Sequence, residues 1–148
     1  MKKKYKFLIV TSNFYPGITA SLEEEAIAYI KSMKYKYEIF RVQGSLEVPT
    51  KISIMLDKKK YDAVIALGCI IKGKTDHYEF ISQAITNTLL SLSISKKIPI
   101  TNAILSCRNM KQALDRSSRK INRAKEAVEA AISVLKEYFM TDIKSLQR

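Results

Sequence analysis

The stretch Ala63 to Ile71, AVIALGCII, constrains this chain more than any other part of it. It holds no charge, one glycine and four β-branched side chains in nine residues. A strand with one face in water alternates apolar and polar residues; this one does not alternate, so both of its faces must be covered. It is short for a helix and stops at the polar loop Lys72 to Asp76. It reads as the central strand of a parallel sheet, with helices packed on either side.

The rest of the chain supplies partners in alternation. Phe7 to Thr11 (FLIVT) reads as a short buried strand followed by a polar loop, Ser12 to Gly17. Tyr37 to Val42 (YEIFRV) alternates like a second strand, and Ile98 to Cys107 (IPITNAILSC) supplies a fourth. Ser21-Leu22-Glu23-Glu24 has capping-box form and predicts a helix carrying Leu22, Ala26, Ile27, Ile30 and Met33 on one face. Pro49 suits the first turn of a second helix, continued by Ile52, Met55 and Leu56. A third helix is expected to turn Phe80, Ile81, Ala84, Ile85, Thr88, Leu89 and Leu92 to one side. Asn109 to Arg116 reads as a short helix. A long last helix would face Ala127, Val128, Ala131, Ile132, Leu135 and Phe139 inward, before a frayed tail from Asp142 to Arg148. Strands joined by crossover helices make one α/β domain over residues 1–148, three layers deep (α/β/α), with a four-stranded parallel sheet.

Composition narrows the function. A chain of 148 residues, 47% hydrophobic, buries a core without disulfides or a structural metal. Cys69 and Cys107 lie far apart in apolar stretches and are expected to be buried, reduced thiols; with one histidine, no zinc site of ordinary spacing can be assembled. No apolar run reaches the roughly 20 residues that span a bilayer, and the run after the basic start is too short for a signal peptide. A cytoplasmic protein without a membrane partner is expected. The net charge of +12 permits nucleic-acid binding, but the lysines are scattered along the chain, as at Lys31, Lys58 and Lys96, mostly at element ends. No signature of interleaved aromatics and glycines accompanies them, so no nucleic-acid partner is expected.

Open parallel sheets bind ligands beyond the carboxyl ends of their strands. The segments there are Ser12-Asn13-Phe14-Tyr15, Gln43-Gly44-Ser45-Leu46-Glu47, Lys72-Gly73-Lys74-Thr75-Asp76-His77 and Ser106-Cys107-Arg108-Asn109. Together they offer an aromatic face, a carboxylate, a basic loop with a glycine, and the chain's one imidazole. The amides of Gly73-Lys74-Thr75, just before a helix, suit a phosphate. The earlier glycine of a nucleotide-binding P-loop is absent.

These segments, in order, resemble the lumazine synthase family. The matching motifs are Asn13-Phe14, then Gln43 to Pro49 (QGSLEVP), then Leu67 to His77 (LGCIIKGKTDH), then Gln112 to Arg116 (QALDR). The resemblance runs from about Phe7 to Phe139. It implies a flavodoxin-like sheet, a homopentamer or a multiple of one, active sites between neighbouring subunits, and no metal or organic cofactor. It implies condensation of 5-amino-6-(D-ribitylamino)uracil with 3,4-dihydroxy-2-butanone 4-phosphate to 6,7-dimethyl-8-ribityllumazine, phosphate and water.

Residue by residue, the resemblance makes Phe14 the ring that stacks on the pyrimidine and Glu47 the acceptor for ribityl hydroxyls. Backbone groups of Ser45, Leu46, Cys69, Ile70 and Ile71 line the same slot, and Asn102 of a neighbouring subunit closes it. Lys74, Thr75 and a neighbour's Arg116 hold the phosphate, the guanidinium gripping two oxygens at once. His77 moves protons during imine formation, phosphate loss and ring closure, a task suited to an imidazole. Three departures stand out: Leu46 and Asn102 occupy positions where aromatics are common, and Ser118 to Ala124 lacks the glycines usual there, with Arg123 standing near a usual lysine. The alternatives are a related pentameric riboflavin synthase of the archaeal kind, a flavin carrier, and a basic RNA-binding domain.

Overall fold

The structure, a computed structural model, describes residues 3–75 and 77–136. Four parallel strands, β1 (Lys6–Ser12), β2 (Lys36–Val42), β3 (Ala63–Ile71) and β4 (Ile100–Cys107), lie in the order β2-β1-β3-β4. Five helices are described: α1 (Pro16–Ser32), α2 (Val48–Lys58), α3 (His77–Lys96), α4 (Met110–Arg116) and α5 (Arg123–Leu135). β3 pairs on one side with β1, Phe7 opposite Ala63, and on the other with β4, Val64 opposite Ile100. Flanked by strands and covered on both faces, it has no position for a polar residue, as its sequence requires.

Alternate residues of the strands feed two cores. Phe7, Ile9, Ile65, Leu67, Ala103 and Leu105 pack against α1, α4 and α5, through Leu22, Ala26, Ala113, Val128 and Ala131. Leu8, Val10, Val64, Ala66 and Ile104 pack on the other face against α2 and α3, through Val48, Ile52, Ile85 and Leu89. The result is the three-layer α/β/α arrangement. The edge strand β2 is only half buried, which explains its alternating sequence.

Three expectations are corrected. The first helix begins at Pro16, not at Ser21, because proline's fixed φ starts a helix and its missing N–H is no loss there. Ser21 is therefore inside α1, its hydroxyl donating back to the Gly17 carbonyl at 3.4 Å. On α3, Phe80, Ala84 and Thr88 are exposed, Phe80 to 71%; burial falls instead to Ile85 and Leu89. β4 starts at Ile100, after Pro99, whose carbonyl accepts from the Val64 amide at 2.9 Å. Phe139 and the tail from Asp142 lie outside the described residues.

Candidate active site

From β1 the chain moves outward to β2, then crosses back over β1 to β3, so the direction of strand order reverses between β1 and β3. At such a switch point the loops leave in opposite directions and open a crevice at the carboxyl ends. A slot of about 250 Å³ lies there. Phe14 and Tyr15 line it from the end of β1, Gly44 to Glu47 from the end of β2, Cys69 to Ile71 from β3, and Ile81 from α3.

Local chemistry shapes each wall. A single 3-10 turn, Ser45–Glu47, joins β2 to α2, and the Glu47 amide donates to the Gly44 carbonyl at 3.2 Å. The Glu47 carboxylate folds back, one oxygen 2.9 Å from where a Cβ on residue 44 would stand, so a side chain there would push the carboxylate aside. Phe14 is 66% exposed and Leu46 54%, which leaves two large apolar side chains uncovered at the slot. The Phe14 ring meets Tyr15 edge-on, centroids 5.0 Å apart at 72°, a favoured geometry for an aromatic pair. Beneath them, the buried hydroxyls of Ser12 and Ser45 lie 3.2 Å apart.

His77 is exposed at the start of α3. It stands four residues before Ile81, so the two side chains share a helix face and His77 sits one turn from the slot. Lys74 and Thr75 are exposed in the preceding loop, where the Thr75 hydroxyl accepts from the His77 amide at 3.4 Å.

Asn102 and Arg116 are elsewhere. They line a separate cavity of about 590 Å³ along the free edge of β4, together with Thr86, Ser106, Arg123 and Glu126. Arg116 donates to the Ser106 carbonyl at 3.1 Å, its guanidinium 4.0 Å from the Cys107 sulfur. Arg123 pairs with Glu126 at 3.2 Å. Asn102 is tied to its own subunit: its amide donates to the Thr86 hydroxyl at 3.2 Å and its oxygen accepts from the Ile104 amide at 2.9 Å. Burial pushes the Cys69 thiol up to about 12 and raises Cys107 as well, against the pull of Arg116. Both sulfurs are therefore protonated near neutrality and poor nucleophiles. Among the described residues no cluster of three or more His, Cys, Asp or Glu side chains is placed to hold a metal ion.

The family model for 6,7-dimethyl-8-ribityllumazine synthase matches residues 4–138. The chain belongs to the lumazine synthase family. Relatives that carry the name 6,7-dimethyl-8-ribityllumazine synthase include one from Methylobacterium radiotolerans, 36% identical over 93% of this chain and 84% of that one. Another, from Nitrobacter hamburgensis, is 36% identical over 87% of this chain and 83% of its own length. A third, from Bartonella tribocorum, is 34% identical over 91% of each. Lumazine synthases are transferases of riboflavin biosynthesis, and membership gives this chain that activity.

Against the lumazine synthase pattern, the structure brings Phe14, Ser45, Leu46, Glu47, Cys69, Ile70 and Ile71 together and leaves Asn102 and Arg116 on another side of the same subunit. Tyr15 and Gly44 also line the slot, within the segments expected there though assigned no role, and Ile81 joins them from α3, where only a helix-face position was expected. Their signals were their spacings: Tyr15 beside Phe14, Gly44 beside the turn, Ile81 one helical turn after His77. The glycine-free stretch Ser118 to Ala124 needs no glycine, since none of its residues takes a positive φ. Asn122 ties it down, donating to the Ser117 carbonyl at 3.1 Å while its oxygen caps α5 at the Ala124 amide.

Proposed function

We propose that the chain condenses 5-amino-6-(D-ribitylamino)uracil with 3,4-dihydroxy-2-butanone 4-phosphate, releasing 6,7-dimethyl-8-ribityllumazine, phosphate and water, in sites shared between copies of itself. The observation that carries this reading is the slot at the β1/β3 switch point, which gathers seven motif residues contributed by three strand ends.

Phe14 stacks on the pyrimidine, an aromatic contact of about 0.5–1.5 kcal/mol. Backbone groups of Ser45, Leu46, Cys69, Ile70 and Ile71 hold the ring in register, and Glu47 accepts from the ribityl hydroxyls. His77, one turn from the slot, relays the protons that imine formation, phosphate loss and ring closure require. Lys74 and Thr75 take the phosphate from one side.

Arg116 and Asn102 support the sharing. At about 250 Å³ the slot is smaller than a usual ligand pocket. The cavity bearing Arg116 runs along a free sheet edge, where a second copy can approach. A head-to-tail ring, the homopentamer or a multiple of it, sets one copy's Arg116 edge against the next copy's slot. With its oxygen and amide engaged at home, Asn102 closes the ring site by shape rather than by stacking. A sugar phosphate does not cross a bilayer unaided, which favours a cytoplasmic location.

The test is to incubate purified protein with both substrates and follow fluorescent lumazine and free phosphate together, against a no-protein control. Coupled appearance of both above that control is expected. Formation of riboflavin from lumazine alone would instead indicate a riboflavin synthase. Arg116→Ala is expected to raise KM for the butanone phosphate about ten- to hundredfold, the worth of a charge-assisted hydrogen bond. If only the pyrimidine KM moved, Arg116 would not be the phosphate ligand.

A further inference from the structure

Ser45, which lines the slot, pairs its hydroxyl with that of Ser12, a contact that the roles above leave unused. Ser12, the last residue of β1, is fully buried, and its Oγ lies 3.2 Å from that of Ser45, which is 9% exposed. Gly68 on β3 makes room for both. A Cβ there would stand 2.5 Å from the Ser12 oxygen and 3.2 Å from the Ser45 oxygen. Three chain segments thus converge on this one contact, and any larger residue at position 68 would break it.

The direction of the hydrogen bond follows from burial. Either oxygen can donate by geometry. Among the described residues, however, the Ser12 hydroxyl has no acceptor other than Ser45, and a buried O–H without an acceptor bears its full desolvation cost. Ser45 has no other acceptor among those residues either, but it lines the slot, where a ligand can accept; with ligand bound, Ser12 donates and Ser45 accepts. The hydrogen on Ser45 is then left without a protein acceptor, on a residue that lines the slot.

We propose that Ser12 is a positioning residue that fixes the Ser45 hydroxyl as a hydrogen-bond donor to an oxygen of the pyrimidine substrate, a ring carbonyl or a ribityl hydroxyl. This rests on the reading of the slot as the ribitylaminouracil site. It adds a side-chain contact where the family resemblance supplies only backbone. A donor fixed in this way discriminates against ring compounds that lack an oxygen at the matching place.

The test is a double-mutant cycle of Ser45→Ala and Ser12→Ala, each of which only shortens a side chain. For each protein, kcat and both KM values are measured, and the fluorescent lumazine product is titrated directly to read binding where turnover is slow. Ser45→Ala is expected to raise the pyrimidine KM about tenfold, with kcat falling far less and the butanone phosphate KM holding. Ser12→Ala is expected to raise it by about threefold, since the Ser45 hydroxyl stays but loses its orientation. The double variant should match Ser45→Ala alone, because Ser12 acts only through Ser45. An unchanged pyrimidine KM in Ser45→Ala, or losses that multiply in the double variant, overturns the relay. A wild-type protein that neither condenses the substrates nor binds lumazine overturns the reading of the slot instead.

Discussion

His77 opens α3 one turn before a residue of the slot, and the preceding loop holds its amide rather than its ring. Positioned acid–base groups contribute about 10²–10⁴-fold to rate. We predict that His77→Ala slows the enzymatic condensation by at least about tenfold with assembly intact. Unchanged turnover would remove His77 from the mechanism. A carboxylate with a shifted titration lies far from the site, near the amino ends of the strands. Glu38 is held at about 2 by hydrogen bonds from Tyr61, Lys59 and Lys6. Its folded value lies below the ordinary 4.5, so the network adds stability above pH 4.5 that is lost as pH falls towards 2. Glu38→Gln is expected to lower Tm at neutral pH and to flatten the fall of Tm between those limits. An identical acid profile in the variant would show that Glu38 does not contribute to it.

At the scale of elements, two helices end on lysines with positive φ, Lys34 at 60° and Lys97 at 57°. At Lys34 this lets the Tyr35 amide reach the Ile30 carbonyl at 3.1 Å, closing the end of α1. Glycine adopts that backbone without strain, so Lys34→Gly or Lys97→Gly is expected to stabilise the fold by about 0.5–1 kcal/mol. A lowered Tm would contradict that assignment. The elements were legible in the sequence to unequal degrees, and the reasons are physical. The uniform burial of β3 left no ambiguity over Ala63 to Ile71. Ser21 and Glu24 imitated a helix start, because a capping box also occurs by chance inside a helix, and Pro16 was the true signal. α3 misled most: apolar residues lie on both of its faces, so periodicity alone could not separate Ile85 and Leu89, which are buried, from Phe80 and Ile94, which are not. In the site, the post-strand segments already held Tyr15 and Gly44, whereas Ile81 reaches the slot from α3, a contact between elements that pattern does not encode.

For the whole molecule, the outward face of α3 and the edge of β4 decide the account. Phe80, Leu90 and Ile94 are exposed along α3, and Arg116 faces a cavity apart from the slot. The proposed ring of copies would cover the first and complete the second. Phe80→Glu is therefore expected to lower the oligomer's mass in sedimentation and reduce activity at low protein concentration, with the helical signal retained. A full-sized, fully active oligomer would show that this face is not the interface. The measurement that tests the central claim most directly is subunit mixing. His77→Ala and Arg116→Ala chains, each impaired alone, are unfolded together, refolded in equal amounts and assayed for lumazine. In a head-to-tail ring, about a quarter of the interfaces then join an intact His77 slot to an intact Arg116 edge. The account predicts recovery of activity towards about one quarter of the wild-type level. Co-assembled hybrids no more active than the two variants measured separately would place His77 and Arg116 in the same subunit's site, or Arg116 outside the site, and would contradict it.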